Sequence, residues 1–143
     1  MSYLLDTNVV SELRKSRQRI APQLRSWAER QITHELSVSV ITVMEIEIGV
    51  ARVERRDDAQ GEMLRRWFDE ELLGAFEGRV LAIDLDVFRR AANLHVPDPR
   101  PERDALIAAT ALTHGLTVVT RNAADFEPLG VAVLNPWDEQ VDG

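Results

Sequence analysis

The chain has 143 residues, 45% of them hydrophobic, and carries 24 acidic against 17 basic side chains for a net charge of −7. That length gives one domain, residues 1–143, with room for a real core, while the lack of cysteine excludes disulfides, thiolate nucleophiles and sulfur-ligated metals. The acidic balance argues against coating nucleic acid with a positive field; with no signal-peptide pattern in M-S-Y-L-L-D and no apolar run near the roughly 20 residues of a membrane span, a soluble cytoplasmic protein is expected.

Tyr3 to Leu5 reads as a short apolar strand ending at Asp6, with Thr7 and Asn8 as turn and capping residues. A short helix follows from Val9 to Lys15, and a second from Ala21 to Gln31, where Pro22 falls in the first turn and its missing N–H costs least. Leu36 to Ile41 is β-branched and strand-like, and the pattern then turns helical from Thr42 to about Arg55. Asp57 and Asp58 interrupt it, and an amphipathic helix covers roughly Ala59 to Phe76, closed by Gly78. Val80 to Ile83 is a buried-type strand and Leu85 to Val96 a helix. Pro97-Asp98-Pro99-Arg100-Pro101 cannot be helical and forms a stiff loop.

The run from Arg103 to Phe126 is the most informative. An Ala/Leu-rich helix opens at Asp104 and is stopped by Gly115, which accepts a left-handed cap. Leu116 to Thr120 follows as a strand without polar alternation, suited to burial on both faces, and a polar turn then holds Asn122 and Asp125. Val131 to Leu134 is the last strand, ended by Asn135-Pro136. Strands alternate with helices throughout, so the expected fold is a three-layer α/β domain with a central, mostly parallel sheet of five strands flanked by helices.

In such a sheet, ligands bind at the carboxyl edge of the strands. Asp6 ends the first strand, Glu45 lies in the first turn after the second, Asp104 opens a helix, and Asp125 follows the fourth strand. Converging carboxylates repel by about 4 kcal/mol per pair at about 4 Å and an effective dielectric near 20. An oxygen-loving divalent cation, Mg²⁺ or Mn²⁺, is the ordinary solution for such a set, and the matching chemistry is metal-assisted phosphodiester hydrolysis. Each acid also has a plain structural alternative. Asp6 and Asp104 suit helix N-caps, Thr42-x-x-Glu45 matches a capping box, and Asp125 suits a turn. His34, His95 and His114 fall at no strand end beside these acids.

Positive charge is almost all guanidinium, Lys15 being the only lysine. Arg14, Lys15, Arg17 and Arg19 form one cluster and Arg52, Arg55 and Arg56 another. The cluster next to Asp6, with Arg14 and Arg17, is the candidate for phosphate contacts. Trp27, Trp67 and Phe68 lie on amphipathic helices and read first as core.

The segments Y-L-L-D-T-N-V-V-S-E-L (Tyr3 to Leu13), T-V-M-E-I-E-I-G-V (Thr42 to Val50), R-D-A-L-I-A-A-T-A (Arg103 to Ala111) and V-T-R-N-A-A-D-F (Val119 to Phe126) resemble the PIN-domain family. Within it the likeness is to VapC-type toxins of toxin–antitoxin pairs, including the FitB-like and plasmid-stability branch. It runs from Tyr3 to Pro136; the motifs are short singly but specific together. The resemblance implies endoribonuclease activity with Mg²⁺ or Mn²⁺ held by Asp6, Glu45, Asp104 and Asp125. Thr7 or Asn8 and Asn122 would orient water or a carboxylate, and Glu12 is a weaker extra candidate. Glu47 would point elsewhere on its helix. It also implies a homodimer and a VapB-type antitoxin that blocks the acidic pocket, with operator DNA met only through the antitoxin.

Rival readings are weaker on the residues. A phosphoryl-accepting receiver domain needs a late lysine, and a haloacid-dehalogenase-type phosphatase needs an acid where Asn8 stands. A largely non-catalytic binding subunit of a toxin–antitoxin complex on operator DNA is the alternative from another class, and a DNA-directed nuclease a third.

Overall fold

Branched apolar runs too short to alternate become strands buried on both faces. In the computed structural model, which describes residues 1–139, β1 (Tyr3–Leu5), β2 (Leu36–Ser39), β3 (Val80–Leu81), β4 (Thr117–Val119) and β5 (Val133–Leu134) join in one sheet. The order is β3-β2-β1-β4-β5, and every pairing is parallel. Parallel neighbours require long crossovers. These are α1 (Thr7–Leu13), α2 (Pro22–Glu29), α3 (Val40–Arg56), α4 (Asp58–Arg66), α5 (Leu73–Ala75), α6 (Leu85–Leu94), α7 (Glu102–His114) and α8 (Ala123–Phe126). Among the described residues, no helix is long and apolar enough to cross a membrane.

The three layers follow from strand alternation. Leu5, Val38 and Val119 join a core with Val9, Val10, Leu24, Trp27, Ile46, Val50, Phe68 and Leu72. Leu4 and Val118 belong to a separate core with Ile107, Ala108, Ala111 and Phe126. Behind it, Val87 and Ala91 of α6 pack on Leu106 and Ala109 of α7. Helix α7 is buried continuously from Ala105 to Ala111, and its alanines let sheet and α6 approach it from both sides. That packing fixes the first turn of α7, where Arg103 and Asp104 sit.

Several boundaries differ from the sequence expectation for local reasons. Helix α1 begins at Thr7 because Asp6 caps it. Helix α3 begins at Val40 because the Ser39 hydroxyl accepts from the Ile41 N–H at 3.0 Å; Val40 and Ile41 look like strand residues but form the first turn. The long helix after Asp57 is capped by that residue and passes through a π-helical stretch, Trp67–Leu72, before α5. The proline-rich loop is non-helical as expected, and Pro101 sits at the N-cap of α7, so that helix opens two residues ahead of Asp104. Strands β3 and β5 shrink to two residues because each lies at an edge with one partner.

Candidate active site

The order in which strands are added reverses at the central strand: from β1 the chain moves out through β2 and β3, then returns to β4 on the other side of β1. Open parallel sheets place their clefts at that point, on the carboxyl edge. Leu5 pairs with Val119, which sets Asp6 beside Thr120. The Asp6 N–H donates to the Val119 carbonyl at 2.9 Å. The Thr120 hydroxyl donates to Asp6 Oδ2 at 2.7 Å, and Asn8 Nδ2 donates to the same oxygen at 3.2 Å. The Thr7 N–H donates to Asp6 Oδ1 at 2.8 Å. Asp6 therefore caps α1 and faces the cleft at once. It is only 7% exposed. Burial pushes its carboxyl above the usual range, against the lowering effect of the Thr120, Thr7 and Asn8 donors, and the Glu45 charge adds to the rise.

Glu45 stands in the second turn of α3, not the first, because the helix starts at Val40. No capping box forms. Its Oε1 accepts from the Thr7 hydroxyl at 3.1 Å, and its Oε2 accepts from Arg103 Nη1 at 3.3 Å. Thr42, the other half of the expected box, has its hydroxyl 3.2 Å from that of Thr7. Glu47 points away and binds Arg65.

Asp104 is the third residue of α7 and is not its cap. Burial raises its carboxyl above the ordinary range, and the charges of Asp6, Asp125 and Glu45 raise it further, in that order. The other three acids named from sequence thus act electrostatically on Asp104. Asp125 differs from the rest in being exposed, in the first turn of α8, with its N–H on the Asn122 carbonyl at 3.0 Å.

These elements enclose a cleft of about 660 Å³ lined by Asp6, Thr7, Asn8, Glu45, Pro101, Glu102, Arg103, Asp104 and Asn122. Asn122 is anchored through its N–H, which donates to Thr120 Oγ1 at 3.0 Å. Among the described residues no three acidic or histidine side chains are already drawn to ligand spacing; Asp6, Glu45 and Asp104 line the cleft, whereas Asp125 is not part of its lining. The donor set is all oxygen, which fits a hard divalent cation.

Three residues here escaped the sequence reading. Thr120 is the last residue of an apolar run, and only the β1–β4 pairing makes it a partner of Asp6. Glu102 widens the acidic wall. Arg103 did carry a signal: a cation in a first helical turn opposes the helix dipole.

The basic cluster is dispersed. Lys15 binds Glu12 at 2.8 Å and Arg17 binds Glu29 at 2.9 Å. Arg14 lies over the Trp67 ring at 5.9 Å and lines a groove with Thr7 and Glu45. Neither Arg14 nor Arg17 lines the acidic cleft. Glu12 also accepts from the Ala21 N–H at 3.1 Å, which ties it to the loop before α2. Trp27 and Phe68 are core, whereas Trp67 is half-buried beside Arg14.

A pH effect follows from the two raised acids. A folded-state carboxyl raised above its unfolded value makes the folded form bind more protons between the two pKa values, so stability falls as pH rises through that window. Metal-free Asp104→Asn is therefore expected to melt above the metal-free wild type at neutral pH, with the gap closing as pH falls below about 4, where Asp104 is protonated in the unfolded state as well. Thermal melts across that range check this; a variant melting lower at pH 7 would contradict it.

The family model described as PIN domain matches residues 3–129. The chain is 37% identical to VapC ribonuclease Y4jK of Sinorhizobium fredii, over 94% of this chain and 97% of that protein. It is 34% identical to Toxin FitB of Neisseria gonorrhoeae, over 95% of this chain and 99% of that protein. The solved structure of FitAcB from Neisseria gonorrhoeae superposes with a TM-score of 0.87 at 32% identity, covering 96% of this chain and 99% of that one. A structure of FitAB bound to a DNA fragment has the same TM-score, 0.87, at 31% identity, covering 99% of both chains. Matching folds, matching length and an acidic cleft at the sheet's switch point lead to one assignment: the chain belongs to the PIN-domain family, among the VapC and FitB toxin ribonucleases of VapBC-type toxin–antitoxin systems.

Proposed function

We propose that this chain is a divalent-metal-dependent endoribonuclease, the toxin of a VapBC-type pair. The observation that carries this reading is a single all-oxygen cleft that Asp6, Glu45 and Asp104 line together, with Asp125 near enough for its charge to help raise Asp104. Such a cluster stays charged at neutral pH with a cation present, and its oxygen donors favour Mg²⁺ or Mn²⁺ over softer metals. When bound, that ion supplies an activated water and charge neutralisation for phosphodiester hydrolysis.

The roles of the chain's own residues follow from their bonds. Asp6, Glu45 and Asp104, which line the cleft, and Asp125, whose charge reaches Asp104, would hold the ion. Thr120, Thr7 and Asn8 fix the Asp6 carboxylate, and the Thr7 hydroxyl also fixes Glu45. Asn122, on the cleft wall, orients water or a carboxylate. Arg14, in the groove adjoining Thr7 and Glu45, is the member of the N-terminal cluster best placed to meet RNA; Arg17 is held by Glu29. The likeness to the FitAcB structure and to a FitAB structure bound to a DNA fragment supports a partner of VapB type; a homodimer within the complex and operator DNA contacted through the antitoxin are what the family resemblance implies.

The test is cleavage of RNA and DNA oligonucleotides of one sequence, with Mg²⁺ or Mn²⁺ and with chelator. Cutting of RNA alone, lost with chelator, is expected. Cutting of DNA at an equal rate would make the protein a general nuclease. Folded protein that binds antitoxin yet cuts neither would favour the non-catalytic binding subunit.

A further inference from the structure

We infer that Arg103 positions the substrate by gripping a non-bridging oxygen of the RNA phosphodiester, an inference that rests on the ribonuclease reading above. The cleft wall carries Asp6, Glu45, Glu102 and Asp104 against a single base, Arg103. A polyanion entering that wall meets repulsion everywhere except at this guanidinium.

Arg103 is placed for the task. It adjoins Asp104 in the first turn of α7, whose buried length holds that turn still. Its side chain is 50% exposed, and it touches Glu45 by one hydrogen bond, Nη1 to Oε2 at 3.3 Å. Among the described residues it makes no other hydrogen bond, so the fork that suits phosphate is open. Neither local term explains an arginine here. The helix dipole disfavours a cation in a first turn, and a half-exposed single-point ion pair contributes little.

The other cations of the neighbourhood do not line the cleft. Lys15 and Arg17 hold Glu12 and Glu29, Arg14 lies over Trp67, and Arg121 lies over Trp137 with its guanidinium 5.3 Å from the ring centre. A cation held by the acids would compete with Arg103 for the Glu45 carboxylate, which would leave the guanidinium freer to turn toward a phosphate.

The test measures binding, not turnover. Anisotropy of a labelled single-stranded RNA is followed in Ca²⁺ at several salt concentrations for the wild type, Arg103→Gln and Arg103→Lys. Loss of one charge-assisted phosphate contact predicts roughly tenfold weaker binding for Arg103→Gln. Its log–log salt slope should be shallower by about 0.7, one phosphate on a single strand. Arg103→Lys should keep the slope while binding less tightly than the wild type. Mn²⁺ titration without RNA should find Arg103→Gln binding the ion as tightly as the wild type or tighter, since a competitor for Glu45 is gone. An unchanged RNA affinity and slope for Arg103→Gln overturns the inference. So does weakened Mn²⁺ binding with an unchanged slope, which would make Arg103 only a prop for Glu45. A wild type with no salt-dependent RNA binding fails the ribonuclease reading itself, and the inference with it.

Discussion

Asp6→Asn is expected to lower RNA cleavage by at least about a thousandfold while the chain stays folded. Asparagine caps helices about as well as aspartate, so its amide oxygen can still accept from the Thr7 N–H, which now lies 2.8 Å from Asp6 Oδ1. Its amide nitrogen can donate to the Thr120 hydroxyl, reversing the present 2.7 Å bond. The substitution removes the negative charge at the centre of the switch point and costs one local bond, since Asn8 Nδ2, which now donates to Asp6 Oδ2 at 3.2 Å, would face an amide N–H and keep only its contact with Thr120. Rates in Mg²⁺ and melting curves by circular dichroism together check this. A folded variant keeping more than a tenth of wild-type activity would remove Asp6 from the reaction.

Gly61→Ala should destabilise the fold through a steric clash between two helices. Helices α3 and α4 meet at Gly61, and a Cβ there would lie 2.5 Å from Glu54 Cα and 2.9 Å from Glu54 N. Both are backbone atoms, so the helices must separate. The separation also strains Arg65, which reaches from α4 to Glu54 at 2.8 Å and Glu47 at 2.5 Å on α3. Overpacking of this kind costs about 1–3 kcal/mol, against at most ~1 kcal/mol gained from helix propensity. The expected net is a loss of about 1 kcal/mol, or a few degrees in melting temperature. Gly49→Ala in α3 is the control: no atom lies within 4 Å of its Cβ position, so the same change should be neutral or stabilising. Equal effects at the two glycines would contradict the close contact at Gly61.

What the sequence revealed about the site was the part set by local pattern. Asp6 and Asp104 sit beside strong strand and helix signals, so their place at the carboxyl edge followed from strand–helix alternation alone. The three-layer fold followed from the same alternation, together with strands such as β4 in which Val118 and Val119 are both buried. What stayed hidden depends on contacts between distant segments. Thr120 serves Asp6 across 114 positions, and no periodicity signals that. Glu45 was placed one turn too early because Val40 and Ile41 have strand-like side chains and Ser39 was not recognised as the cap. Arg17 looked free in sequence, yet Glu29 from α2 holds it. The π-helical stretch Trp67–Leu72 is invisible to a pattern that cannot separate it from an ordinary amphipathic helix.

The most direct measurement is digestion of a total RNA pool by purified, antitoxin-free protein in Mg²⁺, in Mn²⁺ and in chelator, with Asp104→Asn beside the wild type. Discrete fragments from the wild type that vanish with chelator and with Asp104→Asn are the expected result. They would also begin to name the cleavage site. Fragments that persist in chelator, or that Asp104→Asn yields at the wild-type rate, would contradict a metal-dependent reaction at this cleft.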